Sequence, residues 1–131
     1  MREIKYQAWD VKNKRMFQAA NMSFRPSGDV FKVWEETIPN TQGLLINPTT
    51  GFLREYTGLK DKNSKEIYEG DIVAFLSFQG QVVMDDGSWY MIPLGKEDNV
   101  DNIEFLYNYN DEMLEVIGNI YENPELLEAQ Q

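Results

Sequence analysis

The second half of the chain alternates short β-forming runs with turn signals, and this spacing constrains the fold more than any other feature. Asp86-Gly87 is a two-residue hairpin signal, because glycine accepts the positive φ that tight hairpin turns need. Gln79-Gly80 predicts a second turn, and the polar stretch 93–101 predicts a loop. Short strands joined this closely favour a small closed or partly closed barrel. The runs predicted as strands are 71–76, 81–85, 88–92, 103–107 and 113–121.

The first half of the chain predicts a β lobe rich in hairpins. Over residues 4–9, Ile, Tyr and Ala alternate with Lys, Gln and Trp, which is the two-residue period of a half-buried strand. The turn-rich stretch 10–14 and the run 15–19 complete a hairpin. Residues 30–34 are β-branched and aromatic and predict another strand, with a short helix as the competing interpretation. The remaining predictions are a loop at 21–29, a turn at 47–51, a strand at 52–57 and a surface loop at 60–65.

A short helix is predicted at the C-terminus. Asn123 is a good N-cap, Pro124 suits the first helical position, and Glu125 suits the positive end of the helix dipole. A helix this short is marginal in isolation, so we expect its leucines to pack on the barrel or on a neighbouring subunit. The predicted fold class is therefore mainly β, as one domain with an N-terminal lobe 1–57 and a barrel lobe 58–131 that meet near Gly58.

The residue types that are missing exclude several kinds of chemistry. Histidine and cysteine are absent from all 131 residues, which removes the commonest general base and metal ligand, disulfides and thiolate chemistry. Three acidic pairs could be tested for metal, but turn and solvation roles are the favoured interpretation: Asp85 with Asp86, Glu35 with Glu36, and Asp98 with Asp101. We therefore predict no cofactor, no metal and no catalytic activity.

Neither a membrane span nor a secretion signal is predicted. The apolar runs are only a few residues long, and the first five residues lack the apolar core of a signal peptide. We expect a cytoplasmic protein with no membrane partner.

Charge is distributed unevenly along the chain. Residues 1–34 carry seven Lys/Arg and three Asp/Glu, a net charge of +4, whereas residues 35–131 carry five and nineteen, a net charge of −14. Such asymmetry can serve docking between halves, head-to-tail assembly or binding of a basic partner. A soluble acidic surface with a mildly basic edge is the simpler interpretation, since charge mostly reports solubility.

Basic and aromatic residues interleave in the first hairpin, and aromatic residues recur later in the chain. Stacking and charge together could form a weak single-strand nucleic-acid site, although buried aromatics with a solvated basic side are the favoured interpretation. Exposed aromatics could instead form a peptide groove or a subunit interface. The candidate interaction residues are Arg2, Lys5, Trp9, Lys12, Lys14, Arg15, Trp34, Trp89 and Tyr90.

Two segments, 56–73 and 116–127, resemble the signature segments of the YopX-like family of small phage and prophage proteins. The stretch 4–16 is similar to the opening hairpin of that family. The family pattern usually has glycine where this chain has Ser64, so a different turn type is expected there. The resemblance implies a mainly β protein whose C-terminal part is an SH3-like barrel, and it carries no catalytic residues to this chain. Residues 20–50 and 94–112 match no part of the family pattern.

These features predict a non-catalytic interaction module that acts through protein–protein contacts in the cytoplasm of a host cell. The partner is a host protein or a second copy of the chain in a homo-oligomer. The alternatives are weak nucleic-acid binding through the basic N-terminal hairpin, which the acidic charge disfavours, and an acidic decoy that occupies a basic host protein.

Overall fold

A computed structural model describes residues 3–38, 40–75, 78–94, 104–105 and 113–128. Within these residues the chain forms β-strands and a single short helix, which confirms the predicted mainly β fold. The chain divides into two compact units, Glu3–Glu55 and Tyr56–Gln131. The strands that begin in the first unit are β1 (Tyr6–Asp10), β2 (Arg15–Gln18), β3 (Asn21–Phe24), β4 (Val30–Trp34), β5 (Leu44–Leu45) and β6 (Gly51–Lys60).

The first unit contains two small antiparallel sheets. In one sheet β1 lies between β2 and the first half of β6, and the predicted hairpin of β1 and β2 is confirmed. In the other sheet β4 lies between β3 and β5, which confirms the strand predicted at 30–34 and excludes the helix. The loop predicted at 21–29 is wrong for residues 21–24. These residues form β3 because Met22 pairs with Val33, and only the Pro-Ser-Gly stretch that follows makes the turn.

Each sheet of the first unit contributes one fully buried apolar residue, Ala8 from β1 and Val33 from β4. A β-carbon on Gly51 of β6 would lie 2.8 Å from Leu44 Cδ2, so glycine permits this close contact between β6 and β5. The turn predicted at 47–51 is confirmed, because the Asn47 side chain accepts the backbone N–H groups of Thr49 and Thr50.

The second unit is a curled five-stranded sheet with one short strand beside β6. Its elements are β7 (Glu66–Tyr68), β8 (Asp71–Phe75), β9 (Phe78–Asp85), β10 (Ser88–Pro93), β11 (Glu104–Phe105), β12 (Glu115–Asn119) and α1 (Glu125–Glu128). The second half of β6 pairs with β7. The strand order of the sheet is β11-β10-β9-β8-β12, so β12, the last strand of the chain, lies beside β8, the first strand of this sheet. This is the arrangement of the SH3-like barrel that the resemblance implies.

Of the two glycine turns predicted in the second unit, one is confirmed and the other is wrong. Asp86 and Gly87 form the predicted hairpin turn with φ values of 52° and 80°. The turn predicted at Gln79-Gly80 is wrong, because β9 continues through both residues. Gly80 pairs with Val73 on one side and Pro93 on the other. A β-carbon on Gly80 would lie 3.3 Å from the Ile92 carbonyl oxygen, so this glycine marks close strand packing and not a reversal.

The core of the second unit consists of alternating side chains from neighbouring strands. Trp89 and Met91 of β10 are buried, whereas their neighbours in the strand, Ser88, Tyr90 and Ile92, are only partly buried. The other buried members of this core cluster are Ile67, Val73, Val82 and Leu114. The predicted C-terminal helix is present as α1, but it begins at Glu125, one residue after the predicted first position at Pro124. Its two leucines are partly buried.

Candidate interaction groove of the first unit

A groove of about 270 Å³ lies in the first unit. One wall comes from the hairpin of β1 and β2. The other comes from the end of β4, the two glutamates directly after it and the segment 41–44. Both apolar and charged side chains line this concave surface. The lining residues are Asp10, Arg15, Phe17, Val33, Trp34, Glu35, Glu36 and Thr41 to Leu44.

An ion pair crosses the groove. The Arg15 guanidinium donates hydrogen bonds to both carboxylate oxygens of Glu35, at 2.7 Å to Oε1, and both side chains are about half exposed. Hydrogen bonding to Glu35 raises the pKa of Arg15 above its ordinary value. The Arg15 guanidinium carbon also lies 5.3 Å from the centre of the Phe17 ring. The pair neutralises one positive and one negative charge of the lining.

Trp34 is held against the segment that begins at Thr41. Its indole N–H donates to the Thr41 carbonyl oxygen at 2.9 Å. A β-carbon on Gly43 would lie 2.6 Å from Trp34 Cε2, and Gly43 has a φ of 74°. Only glycine meets both requirements, because a side chain would strain the backbone and collide with the indole. The groove therefore has a fixed aromatic wall.

Asp10 contributes a negative charge whose orientation is fixed by its own turn. Its two carboxylate oxygens accept hydrogen bonds from the Asn13 backbone N–H at 3.1 Å and side-chain amide at 2.8 Å. Burial raises the pKa of Asp10, but the hydrogen bonds from Asn13 and from the Lys12 backbone outweigh it, so the pKa is lowered. Asp10 is therefore a carboxylate at neutral pH.

Among the predicted interaction residues that the structure describes, only Arg15 and Trp34 line this groove. The Nζ atom of Lys5 lies 3.2 Å from Oε1 of Glu3, and Arg15 pairs with Glu35. Two of the basic side chains predicted to contact nucleic acid therefore already have carboxylate partners. Lys12 and Lys14 are exposed near the β1–β2 turn, and Trp9 and Tyr90 are partly buried on β1 and β10. Arg2 lies outside the described residues.

Trp89, one of the candidate interaction residues, is buried. Only 9% of this residue is exposed, and it belongs to the core of the second unit. The alternation of buried and partly buried residues along β10 explains the difference between Trp89 and its neighbour Tyr90.

Other groove residues were not singled out from the sequence. Asp10 resembles any turn aspartate, and Leu44 and Gly43 lie in a stretch without a family pattern. Glu35 and Glu36 form an acidic pair in the sequence, but nothing in their local sequence indicates that Arg15, twenty positions away, binds Glu35.

The signature segments of the second unit stabilise the fold. Asp61, only 3% exposed, accepts the backbone N–H groups of Asn63, Lys65 and Val116 at 2.8, 2.9 and 2.9 Å. It thereby connects the turn after β6 to β12. Burial raises the pKa of Asp61, but these three hydrogen bonds lower it more, so its pKa lies below the ordinary value.

Ser64 adopts a left-handed backbone conformation in this turn, with a φ of 64°. The expected change of turn type is thus not required, because serine accepts at some cost the conformation that glycine adopts freely.

The two signature segments also contact each other directly. The Ile120 N–H donates to the Gly70 carbonyl oxygen at 2.9 Å, and a β-carbon on Gly70 would lie 3.0 Å from the Tyr121 ring. Asp71 accepts the Tyr68 N–H at 2.7 Å, and Asn119 accepts the N–H groups of Tyr121 and Glu122. The hydrogen bonds of these residues close turns, which is a structural role.

Among the residues that the structure describes, no group of three or more His, Cys, Asp or Glu side chains could hold a metal ion. The described part of the chain also has no helix of the length and apolarity that a membrane span requires.

The fold and the groove define a class of small two-unit β protein, in which one unit has the SH3-like strand order and the other presents a groove. The profile of the YopX protein family matches residues 5–128, and the chain belongs to this family.

Two solved structures share the fold over nearly their whole length. Protein EF1440 from Enterococcus faecalis is 28% identical, with a TM-score of 0.67 over 97% of this chain and 99% of that chain. Protein yopX from Bacillus subtilis is 18% identical, with a TM-score of 0.62 over 97% of each chain. None of the curated proteins matches the sequence.

Proposed function

We propose that the protein is a non-catalytic interaction module that binds a segment of a protein partner in the groove of the first unit. The observation that carries this proposal is the coincidence of apolar, aromatic and charged side chains in one concave surface. Binding sites commonly combine apolar walls with a few oriented polar groups in this way. At about 270 Å³ the groove has room for one or two side chains of a partner, and not for a large cofactor.

The state of the ionisable groups in the groove supports binding over catalysis. Arg15 is engaged by Glu35, and Asp10 is engaged by Asn13. Glu36 is the lining carboxylate for which the described residues provide no ion pair or hydrogen bond. A carboxylate whose neighbouring acids, Glu35 and Asp10, are already hydrogen-bonded to Arg15 and Asn13 is poorly suited to acid–base chemistry.

Exposed apolar side chains in the first unit also support an interaction role. Ile38 and Phe24 are 86% and 59% exposed, and both lie in the first unit. A partner that covered such side chains would remove their apolar surface from water, which favours association. We place this module in the cytoplasm of a host cell, as a phage or prophage protein, in line with the family resemblance.

The proposal is tested by photo-crosslinking in cells that naturally produce the protein. A photo-reactive amino acid replaces Glu36 at the groove, and in a matched control it replaces Asp85, an exposed residue at the end of β9 in the second unit. We expect a discrete protein adduct from position 36 and none from position 85. No adduct at position 36, or the same adducts from both positions, would contradict the proposal.

A further inference from the structure

We infer that the groove of the first unit selects a basic partner, binding the side chain of an arginine or lysine in an extended peptide segment. This inference rests on the proposed function and specifies the chemistry of the partner. It combines the charge balance of the lining, the aromatic wall and the size of the groove.

The charge of the groove favours a cation. The lining contains three carboxylates, from Asp10, Glu35 and Glu36, and one guanidinium from Arg15. Because Arg15 and Glu35 neutralise each other, Asp10 and Glu36 leave a net negative charge of two at the groove. Hydrogen bonds from Asn13 keep Asp10 ionised and oriented. An incoming cation would therefore meet two carboxylates and no unpaired positive charge.

The aromatic wall supplies a second contact for the same cation. Trp34 lines the groove, and its indole is immobilised by the hydrogen bond to Thr41 and by the close approach of Gly43. A guanidinium or ammonium group gains from a tryptophan face within about 6 Å. A rigid wall makes that contact without a further loss of side-chain freedom on binding.

The apolar lining accommodates the aliphatic part of the same side chain. Phe17 and Leu44, both partly buried, line the groove beside the charged residues. Arginine and lysine carry apolar methylene stems that pack on such surfaces while their charged ends remain near water and carboxylates. A purely apolar side chain would make no ion pair with Asp10 or Glu36, and an acidic side chain would be repelled by both.

The charge of the whole chain acts in the same direction. The net charge of −10 attracts basic partners at long range and raises their association rate at low ionic strength. Attraction at long range does not by itself select the groove, so the test separates the two effects.

The experiment is a titration of the full-length, isotope-labelled protein followed by NMR. The probes are a short synthetic peptide of alternating arginine and leucine, its lysine counterpart, and a counterpart with glutamate in place of arginine. We expect the arginine and lysine peptides to shift the Trp34 indole N–H signal and the amide signals of residues 34–36 and 41–44. We expect the glutamate peptide to leave all of these signals unchanged.

Two charge-matched variants distinguish the groove from the overall charge. Glu36→Gln removes the carboxylate at the groove, and Asp85→Asn removes an exposed carboxylate from the second unit. We expect Glu36→Gln to weaken binding of the arginine peptide by about fivefold and Asp85→Asn to change it by less than about twofold. The amide spectrum of each variant reports whether its fold is retained.

Equal weakening in the two variants, or shifts spread over the acidic second unit, would show attraction by overall charge and overturn the inference. The absence of shifts with both basic peptides would also overturn it. If a crosslinked adduct nevertheless forms at position 36, the proposed function stands and only the basic chemistry of the partner is wrong.

Discussion

The two units differ in how many of their apolar side chains they bury. Among the described residues, Ala8 and Val33 are the buried apolar residues of the first unit, whereas the second unit buries ten. The exposed large apolar residues show the opposite distribution, with six in the first unit and only Met113 in the second. Burial of apolar surface is the dominant favourable term in folding. The second unit therefore carries most of the stability, and the first unit carries the surface that a partner can cover.

The polar groups follow the same division. In the second unit Asp61, Asp71 and Asn119 are buried, and they accept backbone N–H groups that close turns. In the first unit Arg15 and Glu35 pair on an exposed surface, where ion pairs contribute little to folding. Buried polar side chains that close turns thus belong to the second unit, whereas the exposed ion pair of the first unit lines the groove. Arg54, which is buried in the first unit, instead donates to the Gln7 side chain.

The largest expected effect comes from matched isoleucine substitutions. Ile72 of β8 is fully buried, and Ile38 in the first unit is 86% exposed. We expect Ile72→Ala to lower the free energy of unfolding by about 2–5 kcal/mol, because it leaves a cavity in the core. Ile38→Ala is expected to change it by less than about 0.5 kcal/mol. Urea unfolding measures both, and similar losses in the two variants would break the comparison between the units.

The next effect is the removal of the charge of Asp61. We expect Asp61→Asn to lower the free energy of unfolding by about 1–3 kcal/mol at neutral pH, because an amide has one acceptor oxygen for three N–H donors. Hydrogen bonding lowers the pKa of Asp61 below 3.8 in the folded protein. The stability that the charge contributes is therefore fully present above pH 3.8 and is lost as the pH falls through the lower, folded pKa.

Urea unfolding across a pH series checks the contribution of Asp61. The difference between wild type and Asp61→Asn should be constant near neutral pH and should shrink below pH 3.8. A difference that stays constant into the acid range would show that the carboxylate charge has no role.

A smaller effect is expected at Ser64, where the left-handed backbone, with a φ of 64°, strains an L-residue. Ser64→Gly should raise the free energy of unfolding by up to about 1 kcal/mol, because glycine adopts this conformation without the penalty. Ser23 in β3 is a control, since it does not have a positive φ. Ser23→Gly should lower stability by about 0.5–1 kcal/mol. A loss in both variants would mean that the Ser64 side chain contributes more than its backbone strain costs.

Local signals in the sequence were sufficient to predict some elements and not others. The Asp86-Gly87 hairpin was predicted because the turn conformation depends on the two residues themselves. Strand β3 was missed because Met22 becomes a strand residue only by pairing with Val33, eleven positions later. The turn prediction at Gly80 is wrong because glycine occurs both in turns and in closely packed strands. Only the neighbouring strands distinguish the two roles.

The groove was less predictable than the fold for the same reason. Arg15 and Trp34 were both identified as interaction residues, but their separate positions in the sequence did not indicate that they share a surface. That proximity depends on the packing of β2 and β4, which belong to different sheets. The close fit of Gly43 under Trp34 likewise becomes visible only in three dimensions.

The smallest effect on stability is expected at the exposed apolar residues, which should change association instead. Phe24 of β3 is 59% exposed in the first unit, and Met113 is 42% exposed in the second. We expect the wild type to self-associate and Phe24→Ser to shift it toward the monomer, with Met113→Ser as a matched control that does not. Neither substitution should change the free energy of unfolding by more than about 0.5 kcal/mol.

Size-exclusion chromatography with light scattering at low and high salt measures this association. Apolar contacts strengthen or persist as salt rises, whereas attraction between unlike charges is screened, so the salt series identifies the force involved. A wild-type monomer at every concentration and salt would remove self-assembly and leave the exposed apolar surface to a different partner. A shift toward the monomer in Met113→Ser but not in Phe24→Ser would place the association surface on the second unit and reverse the division of roles.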